Sequence, residues 1–256
     1  MMPSIAISAW RGADIGNDAF RERYLEGLKT VTSNVQGLVG CEAFVLNRDV
    51  RESLGSIGNG TPTHDLWAML VFEDERARTV FDESGGLDSL KDPELAAWTT
   101  AAAARYANAL DSGVRGKDER PSAHRALAAP LTITRPQVAN HDHTKAYTIF
   151  GTVYRHPTLS HAEFLDHYSR VHWHYVPDLP AIQRYDVYLT EDGNAGNTTL
   201  PATPPTPDSY ILMTFPSKDD CFAALATPVG EAAIADWKGF LWWVDFEEVN
   251  AGTIIG

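Results

Sequence analysis

The sequence predicts an α+β protein: two βαββαβ units in one chain, packed sheet against sheet. Three observations carry this. The chain of 256 residues reads twice, each time as strand, amphipathic helix, strand, Gly/Pro/Thr-rich loop, strand, helices and a closing strand. The register holds between the two readings, with 144 residues from Phe20 to Phe164 and 143 from Phe72 to Phe215, as a tandem repeat requires. Hydrophobic content of 44% and charged content of 21% suit a globular protein with a sizeable core. The element order in each half is the ferredoxin-like one. A sheet with helices on one face must bury the other, and the second sheet is the simplest cover.

In the first half, "SIAISAWRG" alternates and predicts a strand; "DAFRERYLEGLKTVTSNV" is an amphipathic helix, and "GCEAFVLNR" a second strand. The stretch "ESLGSIGNGTPTHD" cannot build a core and reads as an exposed loop. The apolar run "LWAMLVF" is a strand, followed by helices in "DERARTVFDE" and "DPELAAWTTAAAARYANAL" and a closing strand in "PLTITRP". The second half gives strand "AYTIFGTVYR", helix "SHAEFLDHYSRVHWHYV", strand "IQRYDVYLT", loop "TEDGNAGNTTLPATPPTPD" and strand "SYILMTF". Helices in "KDDCFAALA" and "GEAAIADWKGFLWW" and a last strand in "VNAGTII" complete it. The expected boundary divides residues 1–139 from 140–256, with "VANHDHTK" (Val138 to Lys145) as the joint.

Composition excludes several function classes. A formal net charge of −13 repels phosphate backbones and anionic lipid, so no nucleic-acid or membrane partner is expected. No apolar run approaches the ~18–20 residues of a membrane span, and "MMPSIAISAW" has no signal-peptide pattern. The only two cysteines, Cys41 and Cys221, form no zinc or redox motif and read as buried thiols in a cytoplasmic protein. Neither a P-loop, G-x-S-x-G nor G-x-G-x-x-G pattern is present.

Candidate chemistry concentrates in "FLDHYSRVHWHYVPDLP". Projected as one helix from Ser160 to Val176, it places Phe164, Tyr168, Val171 and Tyr175 on one stripe, with Leu165 and His172 at one edge and His167 and His174 at the other. On such a helix His167 and His172 diverge by roughly 140°, so no shared metal ion is expected. His141 and His143 could share a strand face but lack a third ligand. His172 lies in the last turns, where carbonyl dipoles favour the imidazolium and burial favours the neutral ring. Such opposed pushes suit general acid–base work near neutral pH. Trp242 and Trp243 in "FLWWVDF" read either as a packing pair or as an aromatic wall for a planar ligand.

At these residues the sequence resembles the EthD family. Tyr154-Arg155, Pro157, Leu159-Ser160, Glu163-Phe164, His167, Tyr168, His172, Leu179-Pro180 and Arg184-Tyr185 carry the resemblance, with matching spacings. The first half keeps the aromatic frame of Phe20 and Tyr24 but has Leu28 where His172 stands. The sequence departs from the family at Tyr168, usually tryptophan, and at Trp173-His174, usually a small residue and proline. The resemblance implies a dimeric α+β barrel, here within one chain, and a pocket between sheet and helices. It also implies small hydrophobic oxygenated substrates and, for most relatives, no metal or organic cofactor. The family's functional histidine maps onto His172.

The resulting expectation is a cofactor-independent lyase or isomerase, of dehydratase, decarboxylase or cyclisation type, acting on an aromatic or polyketide-like compound. His172 would move the proton. His167, Tyr168 or His174 would orient the substrate or stabilise developing charge. Tyr154, Trp173, Tyr175, Trp242 and Trp243 are the candidate substrate contacts. The alternatives are a non-catalytic small-molecule-binding accessory protein and a cofactor-free monooxygenase. The expected partner is a small hydrophobic substrate, and a homodimer of the two-repeat chain is compatible with the reading.

Overall fold

The computed structural model describes residues 1–11, 14–46, 65–85, 87–91, 96–108, 146–191 and 207–255. The first half contributes β1 (Met2–Arg11), α1 (Asn17–Thr32), β2 (Leu38–Leu46), β3 (Leu66–Phe72), α2 (Glu75–Glu83) and β4 (Ala96–Asn108). The second contributes β5 (Tyr147–Arg155), α3 (His161–Arg170), β6 (Arg184–Thr190), β7 (Ser209–Phe215), α4 (Lys218–Leu225), α5 (Pro228–Phe240) and β8 (Leu241–Ile255). The joint at 138–145, the "PLTITRP" strand and most of both Gly/Pro-rich loops lie outside the described residues.

The strands close into one barrel in the order β1-β3-β2-β8-β5-β7-β6-β4. Within it each half keeps its own antiparallel sheet, β4-β1-β3-β2 and β8-β5-β7-β6, the ferredoxin-like strand order twice over. Two antiparallel seams, β2 with β8 and β4 with β6, join the halves. This is the architecture of a dimeric α+β barrel built from one chain. Closure leaves no open sheet edge among these strands, so a second copy would have to dock elsewhere.

Strand alternation sorts side chains into three cores. Inward residues of both halves meet in the barrel, where Phe150 stacks on Trp67 at 4.7 Å between centroids and packs on Phe44 at 5.1 Å. Outward residues of β1–β3 meet Phe20, Tyr24 and Leu28 of α1 and Phe81 of α2. Outward residues of β5–β8 meet Phe164 and Tyr168 of α3, Cys221 of α4 and Trp237 and Phe240 of α5. Each large side chain so buried stabilises the fold by about 1.5–3 kcal/mol.

Two expectations need correction. Of the stretch expected to be a helix, the described residues Ala96–Asn108 are strand β4, which pairs with both β1 and β6; the rest of that stretch lies outside the described residues. Alanine favours helix intrinsically, but propensity is a weak prior, and here two flanking strands require a partner. The segment after Phe240 is also strand: Leu241 caps α5 with extended backbone, so Trp242 and Trp243 stand in β8 rather than on a helix.

The two halves are alike in hydrogen bonding. In the first half Asp65 accepts from the backbone N–H of Arg11 at 3.0 Å, and the Arg11 guanidinium donates to the carbonyl of Ile15 at 2.9 Å. In the second, Asp208 accepts from the N–H of Arg155 at 2.9 Å, and that guanidinium donates to the carbonyl of Leu159 at 3.0 Å. Each clamp ties the end of a first strand to the start of a third and to the turn before the helix. His161 adds to the second clamp: its Nε2–H donates to the Thr190 carbonyl at 2.8 Å, and Nδ1 lies 3.0 Å from Asp208 Oδ1.

The β4–β6 seam is stapled on both faces. Inside, Arg184 binds both Glu42 and Asp186, while Tyr106 and Asn108 donate to Asp186 at 3.3 and 2.9 Å. Outside, Arg78 and Arg105 converge on Glu191, and both also reach Glu75. Burial holds the Asp186 carboxyl up at about 6, against the pull of Arg184. Among the described residues no helix is long and apolar enough to cross a membrane. Both cysteines are free and buried, and burial pushes the Cys41 and Cys221 thiols up to about 12 and 11.

Candidate active site

The site grows from the start of α3. Ser160 caps the helix in a reciprocal box with Glu163: Ser160 N–H donates to Glu163 Oε2 at 2.7 Å, and Glu163 N–H to Ser160 Oγ at 3.2 Å. That entry fixes the helix rotation and puts Phe164 and Tyr168 against the sheet, both fully buried.

The helix ends sooner than its periodicity suggests. Val171, at φ −116° and ψ −65°, closes α3, and His172–Asp178 forms a 3-10 turn that includes Pro177. The proline therefore sits inside the tighter turn rather than stopping an α-helix at Val176. The change of helix type swings His172 away from its position on a continuous helix.

His167 and His172 consequently do not diverge. Both reach one carboxylate, that of Asp236 on α5: His167 Nε2 lies 2.9 Å from Oδ1 and His172 Nδ1 lies 2.9 Å from Oδ2. Asp236 was not among the sequence candidates. Burial alone would push its carboxyl up, but the hydrogen bonds to His172 and His167 outweigh this and hold it below the usual range. An ionised Asp236 accepts from His172 Nδ1–H, which selects the tautomer with a bare Nε2. His172 is 1% exposed, and its Nε2 has no hydrogen-bond partner among the described residues. Burial lowers the His172 pKa, with Asp236 pulling the other way. The Asp236 carboxylate supplies a push toward the imidazolium.

Aromatic rings enclose the imidazole. Tyr168 and Trp237 lie 5.2 Å from it between centroids, Phe240 5.5 Å and Tyr175 6.2 Å. Trp237 is backed in turn by Phe246 of β8 at 5.1 Å. That ring lies across Gly151, where a Cβ would come within 2.7 Å of it and within 2.8 Å of Ile211. The absence of a side chain at 151 thus lets Phe246 reach Trp237. The Tyr168 hydroxyl pairs with that of Tyr185 at 2.6 Å, both residues being fully buried.

The other candidates separate. Trp173 is buried and meets Tyr168 edge-on at 6.5 Å. Tyr175 is half-buried beside His172. His174 is half-buried in the 3-10 turn, and its ring makes no hydrogen bond among the described residues. Tyr154 is fully buried, but alternation along β5 puts it on the inward face with Phe150, opposite the face carrying Ile149 and Val153 toward the helices. Trp242 is half-buried at the start of β8, and the Trp243 side chain lies outside the described residues. Among the described residues no three His, Cys, Asp or Glu side chains are disposed to hold a metal ion.

Residues 156–241 match the EthD domain. The EthD span begins at the turn before α3 and ends as β8 starts, so it holds His167, His172 and Asp236 together. No curated protein matches the chain. Solved structures share its fold over nearly its whole length. A protein from Lactobacillus acidophilus NCFM, provisionally named a monooxygenase, aligns with a TM-score of 0.51 at 11% identity, covering 99% of this chain and 96% of its own. An anthrone oxidase-like protein aligns with a TM-score of 0.53 at 9% identity, covering 99% and 93%. A further provisionally named monooxygenase, from Fusobacterium nucleatum subsp. nucleatum, aligns at 0.52 with 10% identity, covering 98% and 94%. At these identities the likeness is one of fold.

Proposed function

We propose that the EthD half is a cofactor-independent proton-transfer site in which His172 is the base. The chain would act as a lyase or isomerase on a small hydrophobic oxygenated compound, aromatic or polyketide-like. The observation that supports this most is the Asp236–His172 pair: a buried imidazole facing a carboxylate through Nδ1, with no partner for Nε2 among the described residues and aromatic rings around it. Such a base is neutral at pH 7 and takes a proton at Nε2, while Asp236 stabilises the imidazolium that forms. The surrounding rings would supply affinity for a flat, mostly apolar molecule.

Turnover of aromatic polyketide-type phenols and unsaturated lactones tests the reading. His172→Ala should lower it by roughly 10²–10⁴-fold, the usual share of one positioned acid–base group. His172→Gln should bind substrate normally and turn over as poorly. Asp236→Asn should also be slow, because its amide favours the wrong imidazole tautomer. The acid limb of the wild-type profile should fall below the ordinary histidine value of about 6.5, since burial lowers the His172 pKa. Full activity in His172→Ala would end the assignment.

A second reading, a cofactor-free monooxygenase, draws support from the names of the fold neighbours. There the same base would deprotonate an electron-rich phenol or anthrone before oxygen adds. Oxygen consumption coupled to His172-dependent turnover would select it over lyase or isomerase chemistry. Binding without turnover of either kind would leave the accessory role.

A further inference from the structure

The buried tyrosine pair beside His172 has a hydrogen-bond count that the described residues do not close. Two hydroxyls carry two protons. One proton is spent between Tyr168 and Tyr185 across 2.6 Å, and neither hydroxyl has another partner among the described residues. Both residues are fully buried, where an unspent donor costs about 1–3 kcal/mol. Burial raises both phenol pKa values far above neutrality, so the pair stays protonated. In a chain of two hydroxyls the outer proton is also polarised by the inner bond.

The neighbouring imidazole is open in the opposite sense. Among the described residues His172 Nε2 is a buried acceptor without a donor, on a ring 5.2 Å from that of Tyr168. One site thus presents an unspent acceptor next to an unspent donor.

We infer that the Tyr168–Tyr185 hydroxyl pair binds the substrate's oxygen, and that the substrate carries an acidic proton next to a carbonyl or phenolic oxygen. This rests on the proposed role of His172 and adds Tyr185 to the site. In the reacting step a C–H bond next to a carbonyl breaks, and its proton bonds to the lone pair of Nε2. The released electron pair moves onto the carbonyl oxygen, which accepts the outer tyrosine proton as a hydrogen bond. Return of the proton to another carbon gives isomerisation, and loss of a β-leaving group with its electron pair gives elimination. For a phenol the O–H proton goes to Nε2 and the phenolate oxygen takes the tyrosine donor. Neither route needs an oxidant or reductant.

The first half supports the inference by contrast. Cys41 stands where Tyr185 stands, since Cys41 pairs with Leu70 as Tyr185 pairs with Met213, and Leu28 stands where His172 stands. The imidazole acceptor and the second tyrosine are both missing there, and the hydroxyl near Tyr24 is that of Thr99, which donates to the Leu90 carbonyl.

The test uses the intact chain and 4-nitrophenol, whose absorbance separates phenol from phenolate. Wild type should bind it as the phenolate. Tyr185→Phe should weaken phenolate binding by roughly 10–100-fold, the effect of a lost hydrogen bond to a charged acceptor. The double change Tyr168→Phe with Tyr185→Phe should weaken it at least as much. Thermal melting checks that each variant is folded; should the double variant not fold, the nearly isosteric Tyr185→Phe decides alone. Unchanged phenolate binding in folded Tyr185→Phe, bound neutral phenol, or no binding by wild type would each overturn the proposal. These readouts involve no turnover, so their failure is separate from failure of the His172 base, which His172→Ala activity reports.

Discussion

The helices α1 and α3 carry the same aromatic pair in the same pose. Phe20 and Tyr24 lie 5.5 Å apart at 48°, and Phe164 and Tyr168 lie 5.7 Å apart at 48°. One turn further on the two halves part: the first has Leu28, fully buried among apolar neighbours, and the second has His172 held by Asp236. The first half also covers its sheet with a short 3-10 turn, Asp88–Lys91, where the second has the full helix α5 that brings Asp236. The frame common to both halves is what the barrel needs for burial. The polar groups found in only one half add nothing to that frame, and desolvating them opposes folding. The proposed site, carried by one of two similar units, would account for that asymmetry.

The comparison breaks most sharply at the clamps. The Asp208 carboxylate is fully buried and the Arg155 side chain only 10% exposed, whereas the Arg11 side chain is 29% exposed beside Asp65. Arg155→Ala should strand a buried charge and cost about 3–5 kcal/mol, while Arg11→Ala, better screened, should cost about 1–2 kcal/mol. Urea unfolding of both variants measures the difference, and equal losses would show that the two clamps are energetically alike.

Leu28→His asks whether an imidazole alone makes a site. Among apolar neighbours it should cost roughly 2–4 kcal/mol, from lost packing and an unpaired ring. It should create no second active site. Activity in that variant with His172 also removed would show that the first half needs only the histidine.

Much of this architecture was legible in the sequence. The strands β3 and β7 coincide with the apolar runs "LWAMLVF" and "SYILMTF", because fully buried strands read as unbroken hydrophobic stretches. The α3 start was written in Ser160 and Glu163. β4 was hidden because its alanines favour helix locally and only long-range pairing with β1 and β6 overrides them. The break after Arg170 was hidden because Val171 carries no capping signal, and a continuous helix sent His167 and His172 apart. Asp236 lies 64 residues beyond His172, and no local pattern joins them. One signal was available: Asp236 follows Ala233 by three and precedes Phe240 by four, so it borders the buried stripe of α5. An acid there asks for a partner.

Gly151→Ala probes how the second half supports its site. The new methyl would collide with Phe246 and Ile211, and overpacking of this kind costs about 1–3 kcal/mol. It should also displace Phe246 and, through it, Trp237, lowering activity more than its stability loss explains. A variant with normal turnover would show that Trp237 does not depend on that stack.

The smallest expected effect lies where the halves meet. Glu42 and Asp186 share Arg184, and burial raises Asp186 to about 6. A raised acid keeps its proton longer in the folded chain than in the unfolded one. Its contribution is therefore fully present below the ordinary carboxylate range and lost as pH rises toward about 6. Asp186→Asn should remove this slope, reducing by a few degrees the change in Tm between pH 4 and pH 6.5. A slope that persists would place its origin at another group.

The central claim is that Asp236 fixes His172 as a neutral base with a bare Nε2. Nitrogen-15 NMR of histidine-labelled protein reads this directly, without a substrate. At pH 7 the account predicts that His172 is neutral with its proton on Nδ1, and that Asp236→Asn abolishes this preference. A His172 found protonated on Nε2, or as an imidazolium at pH 7, would contradict it.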